Sequence, residues 1–200
     1  MDDDAELAEL IALDKDLEQL ELMEARDRLA VYCGLHIPSE IESEDLPGME
    51  KLPIAARYIP AQHHRLLIDK LEALERGYVI ENGKRVEFKR LIVCMPPGAA
   101  KSTYVSTLFP AWYLGRNPRK SVIGASQTQE LADRFGRRTR NLVASAVHRA
   151  VFGSGLAADQ KAAGHWETEQ GGEYHATGVQ PFAGRRGDGA IIDDAIRGRK

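Results

Sequence analysis

The feature that most constrains the fold is an apolar run that stops at small residues and a Lys-Ser pair. Arg90-Leu-Ile-Val-Cys-Met95 is continuous enough to predict a strand buried on both faces. Pro96-Pro97-Gly98-Ala99-Ala100 reads as a loop, and Lys101-Ser102-Thr103 opens a helix predicted to reach about Leu114. Such a loop aims backbone N–H groups at an anion, its lysine neutralises charge, and its hydroxyl can ligate a hard cation. Residues 95–102 depart from the strict phosphate-loop pattern G-x-x-x-x-G-K-[ST], because Met95 and Ala100 occupy the two glycine positions. Ala100 is small enough for phosphate to approach, but its Cβ disfavours the positive φ that glycine accepts. The plainer reading is a small-residue turn with an exposed lysine.

A second element lies about ninety residues on. Ala190-Ile191-Ile192-Asp193-Asp194 is an apolar strand that ends in two carboxylates. In a nucleotide site the first would hold Mg²⁺ and the second would orient the attacking water. An exposed Asp-Asp turn is the bland alternative. Between the two elements, Ser121-Val-Ile-Gly-Ala-Ser126 predicts another buried strand, Thr128 to about Val147 a helix, and residues 165–179 a hairpin around Gly171-Gly172. Upstream, residues 61–76 predict a helix with Leu67, Leu71 and Leu74 on one face, stopped by Gly77, and Asn82-Gly83 predicts a tight turn. Alternating strands and helices give an α/β fold of the P-loop NTPase type, a mostly parallel sheet flanked by helices. That topology places the 96–102 loop and Asp193 at one sheet edge.

The N-terminal part differs in character. Residues 1–50 carry 16 Asp/Glu against 3 Lys/Arg, and the remainder carries 14 against 24, so an acidic arm precedes a basic body. Helical spacing runs from Asp4 to about Tyr32, with Leu10, Leu13, Leu17 and Leu20 forming an apolar stripe among acids. That stripe could pack on the chain's own body or on a partner. Gly34 and Pro38 are expected to end it, which divides the chain into a helical arm (1–37), a linker (38–53) and an ATPase-like portion (54–200). No apolar run is long enough to span a membrane, the N-terminus lacks the positive charge of a signal peptide, and two cysteines make no disulfide framework. The expectation is a reduced, cytoplasmic chain.

Four stretches together resemble the large terminase subunit of tailed bacteriophages and prophages, the DNA-packaging ATPase. They are His63-His64-Arg65-Leu66-Leu67-Ile68-Asp69, Met95 to Ser102, Phe109-Pro-Ala-Trp-Tyr-Leu-Gly-Arg-Asn-Pro118, and Gly184-Arg-Arg-Gly-Asp-Gly-Ala-Ile-Ile-Asp-Asp194. The likeness spans about residues 55–200 and implies the N-terminal part of the translocating ATPase domain. It implies ATP and Mg²⁺ as cofactors. The implied partners are double-stranded DNA, the portal protein and the small terminase subunit, with a ring of identical chains working in the bacterial cytoplasm. By resemblance, Pro97, Gly98, Ala99, Ala100, Lys101, Ser102 and Thr103 form the nucleotide loop, with Lys101 on the β/γ-phosphates. Ser102 and Asp193 would anchor Mg²⁺, Asp194 would be the catalytic carboxylate, and Gln62 would read adenine. A surface glutamine at a helix start is the plainer account of Gln62.

Three departures from the family pattern stand out. Gly98 occupies a position where many terminases carry arginine, so an arginine must come from elsewhere or from a neighbouring subunit. Asp194 stands where many have glutamate. The family places a later strand between the phosphate-loop strand and the Asp193 strand, and only Ala195-Ile-Arg-Gly-Arg-Lys200 follows Asp194. The resemblance therefore implies a partial chain, without the nuclease domain, that binds nucleotide weakly and turns over little. Arg134, Arg137, Arg138 and Arg140 read as a solvated helix face, and Arg185 and Arg186 are the better candidates for a DNA or finger role, with a plain surface role still favoured for them. Trp112, Tyr113 and Cys94 read as core, and His63, His64, His165 and His175 as structural. A helicase-like, nucleic-acid-stimulated NTPase and a non-catalytic binding remnant are the competing functions.

Overall fold

The computed structural model describes residues 3–37, 58–179 and 186–195, with the backbone alone for 3–11 and 159–161. The predicted linker and Arg185 lie outside the described residues. Strand β3 (Ser121–Ser126) is buried from Val122 onward and organises the sheet. Its small and apolar side chains allow close neighbours on both edges. It pairs in parallel with β6 (Glu173–Gly178) on one side and β7 (Gly189–Asp193) on the other. Antiparallel pairing continues outward from β6 to β5 (His165–Thr168) and β4 (Leu156–Lys161), giving the order β4-β5-β6-β3-β7. The fold is α/β, but the sheet is mixed, not mostly parallel. The difference arises because the Gly171-Gly172 turn folds β5 directly back on β6, and β4 adds a strand that no alternation in the sequence announced.

Helix α3 (Gln62–Arg76) buries Leu67 and Leu71 and ends on Gly77 at φ 81°, a left-handed cap. Asn82 and Gly83, both at positive φ, close the hairpin of β1 (Tyr78–Glu81) and β2 (Lys84–Glu87), as the Asn-Gly pair predicts. Helix α4 (101–116) is α-helical over Lys101–Thr103, passes through a π turn over Tyr104–Leu108, and resumes as α-helix over Phe109–Arg116. Pro110 has no N–H to offer the carbonyl four residues back, and that carbonyl, of Ser106, accepts from Thr139 Oγ1 at 3.3 Å instead. The helix predicted from Thr128 to Val147 divides at Ala144-Ser145. Thr128 caps α5 (Gln129–Val143), and Ser145 caps α6 (Ala146–Phe152) by accepting from the His148 N–H.

The N-terminal region also divides. Helix α1 (Asp3–Asp27) breaks at the extended Arg28, and α2 (Leu29–His36) runs through Gly34, which does not end it. Ile37 is extended, as a residue before proline should be. Leu13, Leu17 and Leu20 are exposed, whereas Ala25, Leu29, Tyr32 and Cys33 are sealed in the core. Trp112 Nε1 donates to the Ala25 carbonyl at 3.1 Å, and the Leu29 N–H donates to Glu72 at 2.8 Å. Trp112 is core, as expected.

The largest departure concerns residues 88–96, which form no strand. Leu91, Val93 and Met95 pack on the core, while Ile92 and Cys94 face solvent. The run is extended with one face covered, not a strand buried on both. Both edges of β3 are taken by β6 and β7, and among the described residues nothing pairs with the run laterally. Cys94 is therefore an exposed thiol, contrary to its reading as a small core hydrophobe.

Buried histidines give the fold a pH dependence. Burial lowers His148 to about 3, with His36 and Arg149 adding to the effect, and burial lowers His36 to about 4. The neutral His148 Nδ1 stands 2.8 Å from the Tyr32 hydroxyl. Both folded values lie below that of the unfolded chain, so this stability is complete above about pH 6.5 and is lost as pH falls toward the folded values. At pH 5 we expect His148 alone to remove about 2 kcal/mol. Chemical denaturation from pH 7 to 5 should show this slope, and His148→Gln should flatten it.

Candidate functional site

The C-terminal ends of β3 and β7 meet the start of α4. Ser126 pairs in register with Asp193, which places the first carboxylate at the sheet edge beside the helix. Asp193 is buried, and Asp194, at φ 46°, turns the chain out to solvent. Lys101 Nζ reaches Asp193 Oδ1 at 3.1 Å and Asp194 Oδ1 at 3.0 Å. Ser106 donates to Asp193 Oδ2 at 2.7 Å, and Ser102 also hydrogen-bonds this carboxylate. Residues 101 and 102 are thus brought to 193 and 194 as the sequence predicts.

The electrostatics follow from those contacts. Burial pushes the Asp193 carboxyl up, but hydrogen bonds from Ser102 and Ser106 and the Lys101 ammonium outweigh it and leave it below its ordinary value. Lys101 is held above its ordinary value, chiefly by the hydrogen bond to Asp194, against burial and with help from Asp193. The site gathers the Lys101 amino group, the side-chain carboxyl groups of Asp193 and Asp194, and the hydroxyls of Ser102 and Ser106.

The loop approaches this cluster through two left-handed residues. Gly98 sits at φ 83° with open space where a Cβ would stand, and Ala100 sits at φ 53° as the residue before α4. Pro96 O accepts from the Ala99 N–H at 3.3 Å, closing the turn that contains Pro97. The Ala100 carbonyl receives the N–H of Thr103, whose side chain is exposed. The first N–H groups of α4 have no partner within the helix. A helix start of this kind is a general geometry for attracting anions.

Three contributors were not visible in the sequence. Ser106 lies four residues after Ser102, a spacing that puts both hydroxyls on one helix face and could have exposed its role. His64 Nε2 lies 3.2 Å from the Ala99 carbonyl and its ring packs on Tyr104, whose hydroxyl bonds that of Tyr58. The structural reading of His64 agrees with this placement, in which it braces the loop. Gln62, exposed at the start of α3, stands two residues before this brace; no contact joins its side chain to the cluster. Arg134, Arg137, Arg138 and Arg186 are exposed. The surface depression lined by Asn117, Pro118, Arg119, Lys120 and Gln170 lies at the start of β3, away from this cluster. Among the described residues no helix is long and apolar enough to cross a membrane.

The donor set is oxygen-only apart from the lysine, which suits a hard cation such as Mg²⁺ better than a transition metal. No family model, curated protein or solved structure matches this chain.

Two variants test the geometry. Ala100→Gly removes a Cβ from a left-handed position and should raise stability by about 1 kcal/mol, or about 3 °C in Tm; a fall in Tm would contradict the positive φ. Ser106→Ala leaves a buried carboxylate oxygen short of its donor and should cost about 2 kcal/mol in denaturant unfolding.

Proposed function

We propose that the chain is the nucleotide-binding portion of a DNA-packaging ATPase of the terminase large-subunit type. The observation that carries this reading is the convergence of Lys101 and Ser102, at the start of α4, on Asp193 and Asp194 at the end of β7. Two weak motifs more than ninety residues apart gain weight when a fold brings their reactive groups within hydrogen-bonding distance. The family itself rests on the four sequence stretches.

In this reading the backbone of 97–101 and the Lys101 ammonium bind the phosphates of ATP, and Ser102 and Asp193 hold Mg²⁺. When bound, that ion neutralises charge on the phosphate oxygens. Lys101 now holds Asp194. A bound phosphate competes for the ammonium, and Asp194, released at the solvent-facing end of the strand, orients a water. In the same reading Gln62, exposed at the start of α3, would contact the base. The cytoplasm of a bacterial host, double-stranded DNA, the portal, the small subunit and a ring of identical chains belong to the same proposal. Among the described residues the 89–95 run joins no sheet ladder behind the loop, which favours weak binding and slow turnover by this chain alone.

Calorimetry with Mg·ATP on wild type and Lys101→Ala tests the site. Wild type should bind, and the variant should lose at least about tenfold in affinity, since a charge-assisted contact is worth about 1.5–3 kcal/mol. Absence of binding by wild type would sink the proposal. Turnover measured with duplex and single-stranded DNA separates packaging from helicase-like work, because stimulation by single strands alone favours the latter.

A further inference from the structure

The hairpin of β5 and β6 carries a second constellation, remote in function from Lys101. Trp166 and Thr168 of β5, and Tyr174 and Ala176 of β6, face the core, with Trp166 Nε1 donating to the Gly136 carbonyl of α5 at 3.1 Å. Alternation sends His165, Glu167, Glu173 and His175 to the opposite face. The register sets His165 directly across from His175, and Glu167 across from Glu173. Two carboxylates opposed on adjacent strands repel, so this face attracts a cation.

The imidazoles and one carboxylate converge. Glu173 Oε2 lies 2.7 Å from His175 Nε2 and 3.7 Å from His165 Nε2, and one ligand atom from each of the three residues falls within 4.8 Å of the others. The two imidazole rings stack at 4.1 Å and 14°. His165 Nε2 is sealed from solvent and has no hydrogen-bond partner, although its side chain as a whole is partly exposed. A buried ring nitrogen without a partner costs about 1–3 kcal/mol, and it points toward the carboxylate it fails to reach.

We propose that His165, Glu173 and His175 bind a zinc-type divalent cation that clasps β5 to β6. Tetrahedral zinc at about 2.1 Å from each ligand places ligand atoms about 3.4 Å apart, and the separations here bracket that value, so modest side-chain rotation closes the site. Two imidazoles and one carboxylate select a borderline transition cation over Mg²⁺. The half-exposed Glu173 and His165 leave a fourth position open to water. The cation answers the orphaned Nε2 and screens the facing carboxylates, and because its ligands come from two strands it favours the paired hairpin over the unfolded chain. This site is independent of the nucleotide reading.

The test uses metal-stripped full chain with Cys94→Ser, which removes the exposed thiol, and titrates Zn²⁺ by calorimetry in excess Mg²⁺. One equivalent should bind and raise Tm. His165→Gln and His175→Gln should each weaken binding by about tenfold or more, whereas His63→Gln, at the edge-to-face His63–His64 pair, should leave it unchanged. Imidazole NMR resonances of His165 and His175 should shift on Zn²⁺ addition to the protein with both histidines intact, a readout that needs no variant to fold. Failure to bind one equivalent, unaltered affinity in both hairpin variants, or resonance shifts confined to His63 and His64 would each overturn the proposal.

Discussion

The buried Asp193 carboxylate is the constraint on which the site rests. A desolvated carboxylate is costly unless paired and hydrogen-bonded, and Asp193 answers that cost with Lys101, Ser102 and Ser106, all from one helix. The consequence is geometric as well as energetic. Among the described residues β7 is an outer strand joined to the sheet through β3, and Asp193 ties its end to α4. Ionisation of one residue thereby fixes the distance between the phosphate-loop candidate and the acidic strand end, and any cation that replaces the lysine meets oxygens already in position.

The helices extend that fixation outward. Arg116, at the far end of α4, donates to Glu75 of α3 and to Asp27 and the Arg26 carbonyl of α1, so the helix that carries Lys101 is held at both ends. Tyr32 of α2 reaches His148 of α6, and the Leu29 N–H reaches Glu72 of α3. The region read from charge as an arm contributes its last turns to the common core, while Leu13, Leu17 and Leu20 stay exposed. Charge density reports what a helix shows to solvent. It says little about where that helix docks, which depends on residues such as Ala25 and Tyr32 that carry no charge.

What the sequence made legible follows local chemistry. Asn82-Gly83, Gly77 and Thr128 announced their turn and caps because each conformation is set by a single residue type. The meeting of Lys101 with Asp193 and Asp194 was legible because α/β topology brings a helix start and a strand end to one sheet edge. The misses are non-local. Whether 90–95 forms a strand depends on a lateral neighbour, which hydropathy cannot supply. β4 was silent because Leu156–Lys161 lacks alternation. That Glu173 stands beside His165 and His175 is set by the register of a hairpin, which their spacing along the chain does not show.

The unpaired run also explains why the loop needs side-chain support. A strand that precedes such a loop ordinarily holds it through ladder hydrogen bonds, and here, among the described residues, Leu91, Val93 and Met95 anchor the run before it by apolar packing. Apolar packing is non-directional, so the torsions of 97–100 rest on the turn's own backbone bonds, Ala99 N–H to Pro96 O and Thr103 N–H to Ala100 O. His64 on the Ala99 carbonyl and the Tyr58–Tyr104 hydroxyl pair supply directional restraint at that point. The N-terminus of α3 is therefore mechanically part of the loop, and a ligand that displaces Ala99 must also move His64. That coupling, rather than any single motif, makes the start of α3 the natural wall of the site.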